Sequence, residues 1–368
     1  MSAATSAAVR HLYVHLPFCA HRCGYCDFVT VVGRRGEHER YVDALLAELE
    51  LEFDLLAEPL ETIFLGGGTP TFTEPAALER LLSALPAADE ITIEANPETI
   101  TSDVAARLAR AGVNRVSLGA QTFDTALLDV LERRARPDDV RRSVHVLRDA
   151  GFANVSLDLV YGIPGQGPSD LERDLEEALA LEPEHLSCYE LEAKPGTRFT
   201  HAHGAELERQ AEAMEGYFER VVATLTHARY RWYETANFCR PGREARHNLA
   251  YWLGRDYLGL GIGAVTTLGA ARWRNTPKLG AYLAAVASGE RPPREREELD
   301  EEVRVRERLI LGLRLDEPLS LHEVEEAVDR EALDRLERLG IAERRGDALA
   351  LTRRGRFVGG AATAELMI

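Results

Sequence analysis

Apolar residues along this chain fall into two alternating patterns. Short runs read as strands at 12–16, 62–66, 91–96, 115–121, 155–162 and 185–192. Between them, apolar positions recur every three or four residues at 39–56, 75–85, 102–111, 125–132, 138–150, 169–181 and 206–228. That second period gathers apolar side chains on one helical face. Gly112 and Gly151 stop two of these helices, as glycine does just past a last turn. Six strand–helix units in succession predict an α/β fold with a parallel sheet, either doubly wound or an incomplete barrel.

Both architectures place ligand sites at the carboxyl ends of the strands. The polar and glycine-rich residues sit in those places. Strand one runs into cysteines, strand two into Gly66-Gly67-Gly68-Thr69-Pro70, and strand three carries Glu94 and Asn96. Strand four ends at Gln121, strand five carries Asp158, and strand six carries Tyr189 and Glu190. Any one of these reads as a turn or a cap. Six in a row, at one end of the sheet, predict a shared concave site.

After about residue 230 the alternation breaks. Residues 230–238 read as a further strand, 240–264 as Gly- and aromatic-rich loops, and 288–297 as a surface linker. Helices are expected at 301–313, 320–328 and 330–339, then a hairpin over 341–352 turned at Gly346-Asp347. Helices followed by a small hairpin resemble a winged-helix module. Mixed Arg and acidic residues along those helices favour a packing role over nucleic-acid binding.

Composition narrows the class. A chain of 368 residues, 45% apolar and 29% charged, suggests one large domain and a smaller one. A net charge of −17 argues against nucleic acid and anionic membranes as generic partners. The first ten residues lack a signal-peptide core, and no window approaches the roughly 20 apolar residues of a membrane span. A cytoplasmic location is expected, where clustered thiols point to metal rather than disulfides.

Three of the five cysteines, Cys19, Cys23 and Cys26, are spaced C-x3-C-x2-C. A structural zinc site takes four protein ligands. His15 and His21 could supply a fourth, although no second tight ligand pair follows. A cubane iron–sulfur cluster on three thiolates leaves one iron open to a small molecule bearing an amine and a carboxylate.

The cysteine spacing, with Tyr25 before the third thiol, resembles the radical SAM signature. YVHLPFCAHRCGYCDF, IFLGGGTPTF, EANPE, NRVSLGAQTF, SLDLVYGIPGQ, YETANFCRPG, RHNLAYW and YLGLGIGA resemble, in order, the oxygen-independent coproporphyrinogen III oxidase-like family and its HemW heme chaperone branch. The likeness spans Leu12 to Phe357. It implies a partial (β/α)6 TIM-type barrel over 1–232, followed over 233–368 by a smaller α+β domain with a winged-helix-like hairpin. It further implies a 4Fe–4S cluster on Cys19, Cys23 and Cys26. Tyr13 and Tyr25 would flank S-adenosylmethionine (SAM), Gly67, Gly68 and Thr69 would meet its methionyl end, and Glu94, Gln121, Arg133 and Asp158 the remainder. Arg133 could equally be an exposed helix residue.

Two features select the chaperone branch. Phe28 stands where the oxidase usually has a further Cys, and only about eleven residues precede the first strand. The alternative reading is the oxidase reaction itself, a SAM-dependent oxidative decarboxylation of propionates, which the absence of that Cys disfavours. RHNLAYW makes His247 the candidate ligand for heme carried as cargo, with respiratory hemoproteins as acceptors. The resemblance leaves peripheral membrane association and a homodimer open. Ala135 and Lys194, the latter in the run 192–197, depart from the usual pattern.

Overall fold

The computed structural model describes residues 8–194 and 197–368. The start of the amino-terminal segment, and Pro195 and Gly196 of the run containing Lys194, lie outside them. Six parallel strands form as the alternation predicts: β1 His11–Leu16, β2 Leu60–Gly67, β3 Ala88–Ala95, β4 Arg115–Gln121, β5 Val155–Tyr161 and β6 His185–Glu190. The helices between them are α1 His38–Glu52, α2 Pro75–Ala84, α3 Ser102–Arg110, α4 Thr125–Val130, α5 Pro137–Asp149 and α6 Pro168–Ala180. Alternation along the strands separates two environments. Leu12, Val14 and Leu16 pack outward into the main core, while His11, Tyr13 and His15 occupy the opposite face.

The region expected to be a single long helix over 206–228 is two: α7 Arg198–Ala211 and α8 Met214–His227. Buried Gln210, at the break, donates to the carbonyls of Ile163 (3.0 Å) and Gln166 (2.9 Å). The side chain thereby pins the loop after β5.

A larger correction concerns 240–264, expected as loops. It contains helix α9 Arg246–Trp252 and a strand. After β7 Arg231–Glu234 and β8 Asn237–Cys239, strand β9 Leu258–Leu260 returns to pair in parallel with β1. The main sheet has nine strands in the order β9-β1-β2-β3-β4-β5-β6-β8-β7, with β8 and β7 antiparallel. The sheet is open, an incomplete barrel. A three-residue strand centred on Gly259 and followed by Gly261 has too little alternation to be read from sequence.

A second, antiparallel sheet follows: β10 Val265–Leu268, β11 Ala271–Asn275 and β12 Arg294–Glu298, with α10 Leu279–Ala287. The expected linker 288–297 thus contributes β12. An arginine-rich run has the composition of a surface, but here the Arg294 side chain is buried against Glu52 (2.8 Å). The main core continues through Trp273, Tyr282 and Val286. A separate core begins at Leu309. The division therefore falls near residue 300, not at 232/233, which would cut the main sheet.

The carboxyl-terminal unit follows the expected plan. It comprises α11 Glu301–Gly312, β13 Leu319–Ser320, α12 Leu321–Val324, α13 Arg330–Arg338, β14 Ala342–Arg345, β15 Ala348–Leu351, α14 Arg353–Phe357 and α15 Gly359–Leu366. The hairpin turns at Gly346, whose φ of 64° suits a residue without a Cβ. Arg314 joins the unit to the barrel by pairing with fully buried Glu234 (2.6 Å). No helix among the described residues is long and apolar enough to cross a membrane.

One buried carboxylate ties the late elements to the early ones. Glu48 of α1 accepts from the Gly261 amide (2.8 Å), the Tyr282 hydroxyl (2.7 Å) and the Asn275 amide (2.7 Å). Burial pushes its carboxyl up to about 7. Glu48→Ala is expected to leave three donors unpaired and to cost about 3–5 kcal/mol at pH 5 in denaturant unfolding. The raised folded value means Glu48 stabilises fully below about 4.5, and that contribution fades as pH rises through about 7. The gap between wild type and variant should narrow over that window.

Candidate metal and cofactor centre

The cysteines follow β1 on a loop held from three sides. On the sheet side, the Gly68 and Thr69 amides donate to the carbonyls of Leu16 and Phe18, both at 2.9 Å. Across the barrel mouth, His21 Nε2 contacts the Glu132 carbonyl (2.8 Å). From behind, the Tyr41 hydroxyl donates to the His15 carbonyl (2.9 Å) and accepts from the Ile262 amide (3.0 Å). Gly261, at φ 98°, lies there because a Cβ would stand 2.6 Å from the Tyr41 hydroxyl and 2.8 Å from the His15 carbonyl oxygen. The GLGIGA run, expected as an irregular loop, is thus the rear support of the cysteine loop.

Neither histidine completes a zinc set. His15 Nε2 contacts the Val29 carbonyl (2.8 Å) and its Nδ1 the Tyr13 hydroxyl (3.0 Å). Burial lowers the His15 pKa to about 4, so the ring is neutral. His21 is committed to Glu132.

The surroundings of the thiols suit an iron–sulfur cluster. The Thr69 hydroxyl donates to Cys19 Sγ and Arg133 Nη1 to Cys23 Sγ, each at 3.6 Å. Donors aimed at sulfur favour the thiolate. Burial pushes the Cys19 thiol up to about 11 and raises Cys26. Without metal these two are neutral thiols at pH 7. Soft metal binding is what would displace their protons.

Arg133, one of two expected alternatives, is buried rather than an exposed helix residue. Its Nη2 donates to the Asn96 side chain (2.9 Å) and the Gly119 carbonyl (2.8 Å). Gly119 makes that convergence fit: a Cβ there would lie 2.8 Å from Gln121 Nε2 and 3.4 Å from Arg133 Nη2. Gln121 itself sits at φ 66°, beside a register shift between β4 and β5. Such a bulge re-aims a side chain, and this one turns Gln121 toward Asn96 and Arg133. Buried Arg133 Nε has no partner among the described residues.

The Gly67 amide donates to Glu94 (3.0 Å), and Gly67 has φ 115°. A Cβ on Gly67 would stand 2.5 Å from the His15 ring, and one on Gly68 2.5 Å from the Pro17 carbonyl oxygen. Glu94 is pushed up to about 7, first by burial and then by Asp158. Ser117 donates to both Asp158 oxygens at 3.1 Å. Tyr13 stacks on Phe64 (6.2 Å between centroids), and Tyr25 meets Phe199 edge-on (6.4 Å). The expected cofactor residues therefore share one mouth, the carboxyl end of the barrel. Phe28 is 64% exposed on the same loop. Ala135 is buried, and Lys194 pairs with Glu192 (3.3 Å).

His247, the expected heme ligand, lies apart from that mouth. It sits on α9 at the other end, 1% exposed. Its Nδ1 contacts the Thr62 hydroxyl (2.7 Å) and its Nε2 the Tyr251 hydroxyl (2.9 Å). Its amide and that of Arg246 donate to Glu90. With both ring nitrogens used and burial lowering its pKa to about 3, His247 is a packed polar core residue.

Comparisons with known proteins bear on the family. Residues 13–178 match the radical SAM superfamily and 299–358 the HemN C-terminal domain. The chain is 34% identical to the heme chaperone HemW of Bacillus subtilis (strain 168), over 95% of this chain and 97% of that protein. It is also 34% identical to the protein of that name from Mycobacterium tuberculosis (strain ATCC 25618 / H37Rv), over 97% and 94%. With that of Escherichia coli (strain K12) it shares 38% over 69% and 68%. The coproporphyrinogen III oxidase HemN of Escherichia coli superposes with a TM-score of 0.82 at 24% identity, covering 97% of this chain and 90% of that one. That last likeness is one of fold.

Gly67→Ala is expected to disrupt the cysteine loop, since it combines a left-handed φ with a clash against His15. A loss of about 2–4 kcal/mol in thermal or denaturant unfolding is expected. Lowered iron uptake on anaerobic reconstitution should accompany it.

Proposed function

The chain belongs to the HemW heme chaperone family of the radical SAM superfamily, and from that membership we propose that it binds heme and delivers it to hemoproteins. The reading rests on identity to HemW proteins that runs almost from end to end. It assigns a 4Fe–4S cluster to Cys19, Cys23 and Cys26, with Cys19 Sγ facing Thr69 and Cys23 Sγ facing Arg133.

When bound, such a cluster supplies an electron and an iron open to the amine and carboxylate of SAM. The protein's own part is to hold and orient. Gly67, Gly68 and Thr69 would present backbone at close range to the methionyl end of SAM. Glu94 and Asp158 would accept from its hydroxyls, and Gln121 and Arg133 would donate to its polar edge. Tyr13 and Tyr25 would flank it. The acceptors we propose are respiratory hemoproteins met at the membrane surface, with the protein itself in the cytoplasm.

Anaerobic reconstitution tests the cluster. Wild type should carry about four irons per chain, and alanine at Cys19, Cys23 or Cys26 should remove nearly all of it. A colourless, zinc-loaded protein would refute the assignment. Titration with ferric heme, followed by transfer to an apo-hemoprotein, tests the chaperone role. Absence of either binding or transfer would refute that.

His247→Ala gives a sharper expectation. With its ring committed to Thr62 and Tyr251, the variant should lose about 2 kcal/mol of stability. Its heme-bound Soret band should stay at the wild-type position. A shifted or absent Soret band in a folded variant would restore His247 as ligand.

A further inference from the structure

A cavity of about 890 Å³ lies between α9, the β10–β11 sheet and α11. That is within the range of pockets for small ligands and cofactors. Its inner wall is aromatic: Tyr251 and Tyr257 meet edge to face with centroids 4.6 Å apart, and Trp252 lies beside them. Leu299, Val305 and Leu311 make the opposite side apolar. Ile310, also lining it, is 41% exposed, so this apolar surface is uncovered.

The charges at the opening are unevenly satisfied. Arg272 is held by both oxygens of Glu307 (2.8 and 2.6 Å) and Arg308 by Glu323 (2.7 Å). Asp256 accepts from the Gly269 amide (2.9 Å). Glu301 lines the same opening in the first turn of α11. Arg255 and Arg304 are exposed, and their guanidinium groups form no hydrogen bond or ion pair among the described residues. Two cations without carboxylate partners therefore stand at the mouth of an aromatic slot.

We propose that this cavity is where heme is carried, its flat apolar ring between the aromatic wall and α11 and its two carboxylates on Arg255 and Arg304. The assignment rests on the heme-chaperone reading. It also separates cargo from cluster. Tyr251 is bonded to His247, which contacts Thr62 near the amino end of β2, whereas the cysteines follow the carboxyl end of β1. Of the residues on α9, it is Tyr251 and Trp252 that reach the cavity.

The test compares ferric heme with its dimethyl ester on the reconstituted full chain, in wild type and in the double variant Arg255→Gln, Arg304→Gln. Both positions are exposed and unpaired, so iron content and melting temperature should not change. Each lost charge-assisted contact should weaken binding about tenfold. The double variant should thus bind heme about a hundredfold more weakly than wild type, and both proteins should bind the diester alike. Equal heme affinity in the two proteins, with the same preference over the diester, would overturn the pocket and leave the chaperone reading standing. Wild type that binds neither compound would overturn both.

Discussion

A thiolate can hold iron only where its negative charge is tolerated, and burial works against that. In this protein the thiols of Cys19 and Cys26 are pushed upward by burial. The structure answers with donors aimed at sulfur: the Thr69 hydroxyl on Cys19, the Arg133 guanidinium on neighbouring Cys23, and the Phe28 backbone on Cys26. Most of what surrounds the barrel mouth can be understood as holding the two side-chain donors and the cysteine loop in register. Thr69 is placed by the glycine turn after β2, and Arg133 by Asn96 and Gly119.

The same loop is gripped from behind by residues more than two hundred positions away. Glu48 orders the turn at Gly261, that turn meets Tyr41, and Tyr41 holds the His15 carbonyl. His15 fills the space that a Cβ on Gly67 would need. The glycines of the barrel mouth are therefore demanded by protein neighbours as well as suited to a ligand. A substitution in the late sheet can reach the metal centre without touching it.

The two ends of the barrel do different work. Its carboxyl end gathers sulfur, carboxylates and an arginine around one opening. Its amino end is sealed by α9, whose first amides rest on the Glu90 carboxylate and whose histidine completes a buried hydrogen-bonded chain. Past that seal lies the aromatic cavity bounded by α11. Since α11 also opens the second core and leads to Arg314, the carboxyl-terminal unit is both lid to that cavity and partner to the barrel.

The six strand–helix units, the terminal hairpin and the placement of Cys19, Gly67, Glu94, Gln121 and Asp158 at one end of the sheet were legible in the chain alone. The reason is that period-two and period-3.6 patterns are local, and strand ends follow from them. The three-residue β9, the break at 211–214 and strand β12 were not legible, because each is decided by a distant neighbour: β1, the loop after β5, and Glu52. His247 illustrates the limit most clearly. The likeness of RHNLAYW to the family marks it as a ligand, yet only the folded chain brings Thr62 and Tyr251 onto its two nitrogens. Which polar groups are spent on one another, and which are left for a ligand, is a matter of tertiary contact, and sequence carries no record of it.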